Sequence, residues 1–310
     1  MHVNNLIHYF SINWNSVTDG DGIRTVVYLQ GCNLECPWCH SPHSQLPFST
    51  ILLNTNNCIF CGNCINECKQ GVHSLKKGVH LLNYKKCISC GDCINSCPKS
   101  NSNINSKNAL YLPTKKISSE KLFKKILPQL ELLRKIGGLT LSGGEPLLQH
   151  KQIKDLLIRC KNDNIHTTIE TSASVPFSFF ENIYNEVDSW LFGIRPISNK
   201  YQGKLPDFNL VIDNLRKLSN LNNNNITIRT PIIQNVIDTQ YQINQIIDIM
   251  RKNKLSRIEL LPYNPYTNHY YSATGRKFKN NFYSVNNETM NIFQNQFNKR
   301  NINVKIMNIN

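Results

Sequence analysis

A chain of 310 residues, 40% hydrophobic and 18% charged, is long enough to bury a core in one large domain or two modest ones. Its 12 cysteines come with no secretory leader over Met1–Phe10 and no apolar run of about 18 residues, which argues against a disulfide scaffold and a membrane span. A reducing, cytoplasmic setting is expected, and the formal charge of +15, spread as lysines among Asn and Ile without a compact basic block, suggests no nucleic-acid partner.

The first strand signal is Thr25–Gln30, followed at once by Gly31-Cys-Asn-Leu-Glu-Cys-Pro-Trp-Cys-His40. Cys32, Cys36 and Cys39 thus share one loop with C-x3-C-x2-C spacing. Three thiolates so placed hold a [4Fe–4S] cube by three corners and leave its fourth iron open, as a catalytic zinc keeps an open position. A zinc knuckle completed by His40, or three buried thiols, is the competing reading.

The cysteine pattern then repeats. Residues 58–68 read Cys-Ile-Phe-Cys-Gly-Asn-Cys-Ile-Asn-Glu-Cys, and residues 87–97 read Cys-Ile-Ser-Cys-Gly-Asp-Cys-Ile-Asn-Ser-Cys, followed by Pro98. Both are C-x2-C-x2-C-x3-C, offset by 29 residues, with Gly62 matching Gly91 and Ile65 matching Ile94. The repeat resembles the two-cluster bacterial ferredoxins, in which the fourth cysteine of each run ligates the other cluster. That resemblance implies one cluster on Cys58, Cys61, Cys64 and Cys97 and another on Cys87, Cys90, Cys93 and Cys68. Lys69 departs from it, standing where ferredoxins usually have proline, and two zinc sites are the alternative. Three clusters would add roughly −5 and leave about +10. Such a basic surface suits an acidic flavodoxin or ferredoxin as electron donor. The piece from about Pro47 to Leu112 reads as an insertion whose small core is largely replaced by metal, dividing the chain into 1–46, 47–112 and 113–310.

From Ile117 onward, short β-rich runs alternate with helical stretches. The helical patterns are Ser118–Lys135, Lys151–Asn162, Pro176–Asn185, Asp207–Leu218 and Thr239–Lys252. The strand patterns are Leu139–Leu141, Thr167–Ile169, Trp190–Ile194, Ile226–Arg229 and Arg257–Leu261. With Thr25–Gln30 they make about six β/α units, which predicts a parallel sheet with helices outside. Periodicity does not separate a doubly wound sheet from an incomplete barrel. Either gathers ligands at the C-terminal ends of the strands.

Ser142-Gly143-Gly144-Glu145-Pro146 sits at one such end, where paired glycines permit close approach of a polar head group and Pro146 starts a helix. Together with the three-cysteine loop and Trp38, it resembles the "GGE" turn of radical S-adenosylmethionine enzymes. The resemblance narrows to the glycyl radical enzyme activating enzymes that carry a two-cluster insertion, over nearly the whole length. Thr18-Asp-Gly-Asp-Gly-Ile-Arg24 is similar to their D-G-P-G-I-R, with Asp21 in place of proline. Glu170-Thr171-Ser172, Arg229-Thr230-Pro231-Ile232-Ile233, Leu260-Leu261-Pro262-Tyr263 and Gly275-Arg276 match further motifs. Gly193 and Arg195 depart from it, replacing an acidic residue and a lysine of a cation site beside the cofactor. Gln234-Asn235 replaces Pro-Gly, and Asn264 replaces a histidine.

The resemblance implies a partial (β/α)6 TIM-like barrel with an inserted ferredoxin-like domain, three [4Fe–4S] clusters and S-adenosylmethionine. Cys32, Cys36 and Cys39 would hold the catalytic cluster, with Trp38, Ser142, Gly143, Gly144, Glu145, Glu170, Thr171, Arg195 and Arg229 around the cofactor. Of these, Trp38 would pack near the adenine, Gly143–Glu145 would hold the amino end and Arg229 the carboxylate. The implied reaction is reductive cleavage of S-adenosylmethionine and removal of a hydrogen from a backbone glycine of a partner enzyme. A radical maturase that binds its substrate with auxiliary clusters, and a non-catalytic electron carrier, are the alternatives. Cys160 belongs to no run and reads as a buried structural thiol. His40 and His43 read as polar neighbours of the loop, and Tyr263, Tyr266, Tyr270 and Tyr271 as a partner groove or as surface packing.

Overall fold

The computed structural model describes residues 5–46, 49, 51–100, 107–196, 203–222, 224–264, 268–275 and 282–307. Tyr266 and Arg276 lie outside the described residues. The chain begins with β1 (Leu6–Ser16) and β2 (Ile23–Leu29), an antiparallel pair. There follow β3 (Leu52–Leu53), α1 (Asn63–Glu67), β4 (His73–Lys76), β5 (Val79–Leu82), α2 (Asp92–Asn95) and β6 (Leu110–Tyr111). The chain continues through β7 (Lys115–Ser118), α3 (Ser119–Leu133), β8 (Gly137–Gly143), α4 (His150–Asn162), β9 (Thr167–Thr171), α5 (Phe177–Ile183) and β10 (Ser189–Gly193). It ends with α6 (Phe208–Asn222), β11 (Ile226–Ile232), α7 (Gln240–Lys252), β12 (Arg257–Pro262), α8 (Asn268–Ala273), α9 (Asn287–Asn298) and β13 (Asn303–Ile306).

A 9-stranded sheet runs in the order β13-β12-β11-β10-β9-β8-β2-β1-β7. From β2 to β13 every pairing is parallel, and each new strand is added on the same side. The order never doubles back. Right-handed crossovers therefore place the connecting helices on one face, whereas a doubly wound sheet would reverse direction. Strands β8 and β9 are buried almost throughout, as expected for parallel strands covered on both faces. In α3, Leu122, Phe123, Ile126, Leu130 and Leu133 form the buried stripe, and the Ser118 hydroxyl caps the helix by accepting from Lys121 N at 3.3 Å.

The strand and helix patterns from Ile117 onward all correspond to elements, with shifted ends. Helix α5 stops at Ile183 and passes into a 3-10 turn, Tyr184–Glu186, while α6 runs past Leu218 to Asn222. Strands β1, β7 and β13 and helix α9 were not anticipated. β13 adds a further parallel strand beyond the expected six or so, and β1 and β7 extend the sheet antiparallel on the other side. Among the described residues no helix is long and apolar enough to cross a membrane.

Strands β3 and β6 pair with each other and draw together the two ends of the segment between them. That segment has its own core, in which Ile51, Leu53, Val72, Leu82 and Leu110 pack with Cys64, Cys87, Cys93 and Cys97, separate from the main core. The internal repeat is visible in the backbone. Phe60 and Ser89 have φ of 56° and 61°, and Gly62 and Gly91 have φ of 81° and 90° as they open α1 and α2. A Cβ at either glycine would meet nothing within 4 Å, so the left-handed turn is what requires glycine there.

Helix α7 starts with a reciprocal cap in which Thr239 and Gln242 each satisfy the other's backbone N–H. Thr239→Ala removes half of it and is expected to cost about 1 kcal/mol, read as a lowered urea midpoint with unchanged slope.

Candidate active site

The three-cysteine loop leaves the C-terminal end of β2 through Gly31, whose φ is 98°. Backbone bonds pin it on several sides: Gly31 N donates to Ser44 O at 2.8 Å, Cys32 N to Gln45 O at 3.2 Å and Glu35 N to Lys204 O at 2.7 Å. The Cys32 sulfur accepts from Leu34 N and the Cys39 sulfur from Ser41 N, both at 3.4 Å. Amide N–H groups aimed at cysteine sulfurs stabilise thiolates, the form that binds iron. Without metal, burial pushes the Cys36 thiol up to about 12, against the pull of the nearby Arg195 charge. Three soft sulfur donors with N–H groups already turned toward two of them fit an iron–sulfur cluster, and loading it displaces thiol protons.

The turn after β8 lies against this loop. Gly144 N donates to Leu29 O and Glu145 N to Gly31 O, both at 2.8 Å. A Cβ on Gly143 would lie 2.4 Å from Leu29 N, and one on Gly144 would lie 2.1 Å from Gly31 O. Both glycines are therefore demanded by backbone packed on backbone, as well as lining the cavity above them. Pro146 opens a 3-10 turn, Pro146–Gln149, that leads into α4.

Glu145 is fully buried and does not line that cavity. Its carboxylate accepts from Leu147 N at 3.2 Å, Thr171 Oγ1 at 2.8 Å, Ser172 N at 2.8 Å and Ser172 Oγ at 2.6 Å. Burial raises its pKa against these bonds. The side chain ties the turn after β8 to the Glu170-Thr171-Ser172 turn after β9.

Arg229, on β11, is buried among acids. Its guanidinium donates to Glu259 at 2.6 Å and Glu170 at 2.8 Å, stands 3.6 Å from Asp19, and also bonds Thr18 O. Burial pushes Glu170 upward, but Arg229, then Ser142 and Arg195, outweigh it and hold the carboxylate below its usual range. Asp19 goes the other way, raised by burial and by Glu170. Arg195 is different: its Nη1 is buried and finds no hydrogen-bond partner among the described residues. A Cβ on Gly193 would sit 2.6 Å from that nitrogen, so glycine at 193 leaves the space that the Arg195 guanidinium fills. The two departures from the family pattern are physically linked.

These parts enclose a cavity of about 820 Å³. Ser142, Gly143, Gly144, Glu170, Thr171, Arg195 and Arg229 line it, and Asn264 does too. Thr18, Asp19, Tyr28, His40, Lys305 and Met307 also line it and were not anticipated as site residues. Asp19 was legible as part of a motif, whereas Lys305 and Met307 follow from β13, which the sequence pattern did not signal. Trp38 is buried in the main core, edge-on to Phe282 at 6.0 Å, and does not line the cavity. His43 packs between Phe10 and Tyr270, with ring centroids 4.7 and 4.4 Å away, and Tyr263, Tyr271 and Cys160 are buried.

Two smaller cavities lie in the segment between β3 and β6. Cys58, Cys61, Cys64 and Cys97 line one, and Cys68, Cys87, Cys90 and Cys93 line the other. Each group draws its members from both cysteine runs.

Fold and site define an α/β protein organised around cysteine loops suited to iron–sulfur chemistry. A family described as "4Fe-4S single cluster domain" matches residues 18–191. The 4-hydroxyphenylacetate decarboxylase activating enzyme of Clostridioides difficile is 32% identical over 278 residues, covering 87% of this chain and 86% of its own. The trans-4-hydroxy-L-proline dehydratase activating enzyme of Clostridioides difficile is 34% identical over 272 residues, covering 85% and 86%. The choline trimethylamine-lyase activating enzyme of Oleidesulfovibrio alaskensis is 30% identical over 265 residues, covering 82% of each. The chain belongs to the glycyl radical enzyme activating enzymes.

Replacing Arg229 by methionine leaves Glu170, Glu259 and Asp19 without their shared counter-charge. A loss of about 3–5 kcal/mol is expected in chemical denaturation of the metal-free protein, with partial retention in Arg229→Lys.

Proposed function

We propose that this enzyme binds a [4Fe–4S] cluster on Cys32, Cys36 and Cys39 and S-adenosylmethionine in the adjoining cavity, and generates a radical on a backbone glycine of a partner glycyl radical enzyme. The observation that carries the reading is the cavity itself, which brings His40 and Ser41, directly after Cys39, together with the Ser142-Gly143-Gly144 turn, the Glu170-Thr171 turn and Arg195. When bound, the cluster supplies the electron that cleaves the cofactor's sulfonium bond to methionine and a 5′-deoxyadenosyl radical. The chain's own residues bind, orient and shield. Arg195 lines the cavity and offers its guanidinium charge for the methionyl carboxylate. Arg229, already engaged by Glu170, Glu259 and Asp19, holds those acids in place, and Glu145 positions the turns on either side of the amino group from behind. Ser142 and Glu170 present polar atoms on the cavity side, joined by a 2.5 Å hydrogen bond. Trp38 supports the cysteine loop by packing into the main core against Phe282.

On this reading the sheet is a partial barrel, opened by residues 1–46 and completed by 113–310, and 47–112 is a ferredoxin-like insert. The two groups of four cysteines support two further [4Fe–4S] clusters there, with crossed ligation between the runs. The sequence charge of +15 supports an acidic flavodoxin or ferredoxin as donor and a cytoplasmic setting supports reduced thiolates.

Three measurements test this. Anaerobic protein loaded with iron and sulfide, then given reductant and S-adenosylmethionine, should release 5′-deoxyadenosine, and Cys36→Ala should release none; release without dependence on Cys36 would overturn the assignment. Arg195→Met should weaken S-adenosylmethionine binding about ten- to a hundredfold in equilibrium dialysis, the value of one charged hydrogen bond. Cys97→Ala should remove or convert one cluster of the insert by Mössbauer spectroscopy and spare the other.

A further inference from the structure

The hairpin of β4 and β5 lies between the two cysteine runs, and its pattern is inverted. Val79 and Leu81 face solvent, 52% and 42% exposed, while His73 and His80 are buried at 5% and 6%. Slipping β5 by one residue would turn Val79 and Leu81 inward and His80 outward, together with Leu82, which shares its buried face. The turn prevents it: Lys77 and Gly78, with φ of 49° and 75°, form the two-residue left-handed turn that fixes the pairing of Lys76 with Val79. The hairpin is thus held in the register that brings two imidazoles inside.

Inside, they meet each other and the cysteines. His73 Nδ1 lies 3.0 Å from His80 Nε2, and His80 Nδ1 lies 3.5 Å from the Cys58 sulfur. His80 Nε2 is also 3.7 Å from the Cys64 sulfur. His80 lines the cavity of Cys58, Cys61, Cys64 and Cys97, while His73 lines the cavity of the other four cysteines. The remaining nitrogen, His73 Nε2, is buried without a partner among the described residues. A pair of neutral imidazoles joined by one hydrogen bond has one N–H left for an outer end. With His73 Nδ1–H donating to His80 Nε2, that N–H is His80 Nδ1–H, directed at the Cys58 sulfur.

We propose that His73 and His80 form a hydrogen-bonded bridge between the two cluster sites, in which the His80 N–H to the Cys58 sulfur raises the reduction potential of the cluster on Cys58, Cys61, Cys64 and Cys97. This rests on the reading of the insert as a two-cluster module. A donor to a ligating sulfur stabilises the more negative, reduced cluster, so its removal makes reduction harder. His73 is a positioning residue: it fixes which nitrogen of His80 carries the proton.

The test is a redox titration followed by electron paramagnetic resonance, on full-length protein with Cys32, Cys36 and Cys39 replaced by alanine so that the insert alone contributes signals. The signal missing in Cys97→Ala identifies the cluster concerned. His80→Leu should lower that cluster's electron affinity at least tenfold, about 59 mV for a one-electron couple, and leave the other cluster unmoved. His73→Leu should shift the same cluster by less, and His80→Gln, which keeps a donor, should restore part of the loss. Unchanged potentials with full iron content would overturn the proposal, as would a shift confined to the other cluster. Loss of the cluster in His80→Leu, with strong nitrogen coupling in the parent protein, would overturn it in favour of direct ligation by His80. The ligating atoms of Cys64, His73 and His80 lie within 4.8 Å of one another, so a single bound metal ion is a distinct outcome and equally overturns it. Mössbauer spectra of the parent protein separate these from failure of the two-cluster reading, which would show as no [4Fe–4S] iron in the insert.

Discussion

Two backbone hydrogen bonds hold the site together: Gly144 N to Leu29 O and Glu145 N to Gly31 O. They fasten the turn after β8 to the start of the three-cysteine loop at a distance that excludes any side chain on residues 143 and 144. Every other feature of the cavity is referred to that junction. Glu145 carries it sideways to the turn after β9, and Ser142 carries it to Glu170. A parallel sheet delivers these turns to one edge, and the close contact makes them one rigid floor.

Charge is the second organising element. Glu170, Glu259 and Asp19 converge on one guanidinium, so Arg229 is spent on holding the floor together. That leaves Arg195 as the cavity guanidinium with an uncommitted nitrogen among the described residues, and Gly193 as the reason it fits. A glycine that reads as a lost carboxylate in the sequence is, in space, room for a cation.

Much of this was legible in the sequence because metal chemistry is carried by spacing. The three cysteine runs, the paired glycines and the Glu170-Thr171 and Arg229 motifs announce themselves without knowledge of the fold. The strands of the parallel sheet were readable because short runs rich in apolar and β-branched residues recur between helical stretches. The C-terminal α9 and β13 were not. Met290, Phe293 and Phe297 are the buried residues of an otherwise Asn- and Gln-rich helix, too few to stand out as a stripe. β1 was hidden because its apolar and polar residues do not alternate strictly and much of its second half is exposed. A motif gives residue type and position, whereas burial decides what a side chain faces: Glu145 and Trp38 do not line the cavity, and Arg229 lines it while engaged by three acids. The inward histidines of the β4–β5 hairpin were missed because alternation alone would have turned Val79 and Leu81 inside.

The central claim is that this chain installs a radical on a partner's backbone glycine. It is tested most directly by anaerobic electron paramagnetic resonance of the reconstituted enzyme mixed with reductant, S-adenosylmethionine and glycyl radical enzymes of the kinds its relatives activate. A glycine-centred doublet that appears with one partner and is absent with Cys36→Ala is the predicted result. Stoichiometric 5′-deoxyadenosine with no such doublet on any partner, and the radical found instead on a small molecule or peptide, would contradict it.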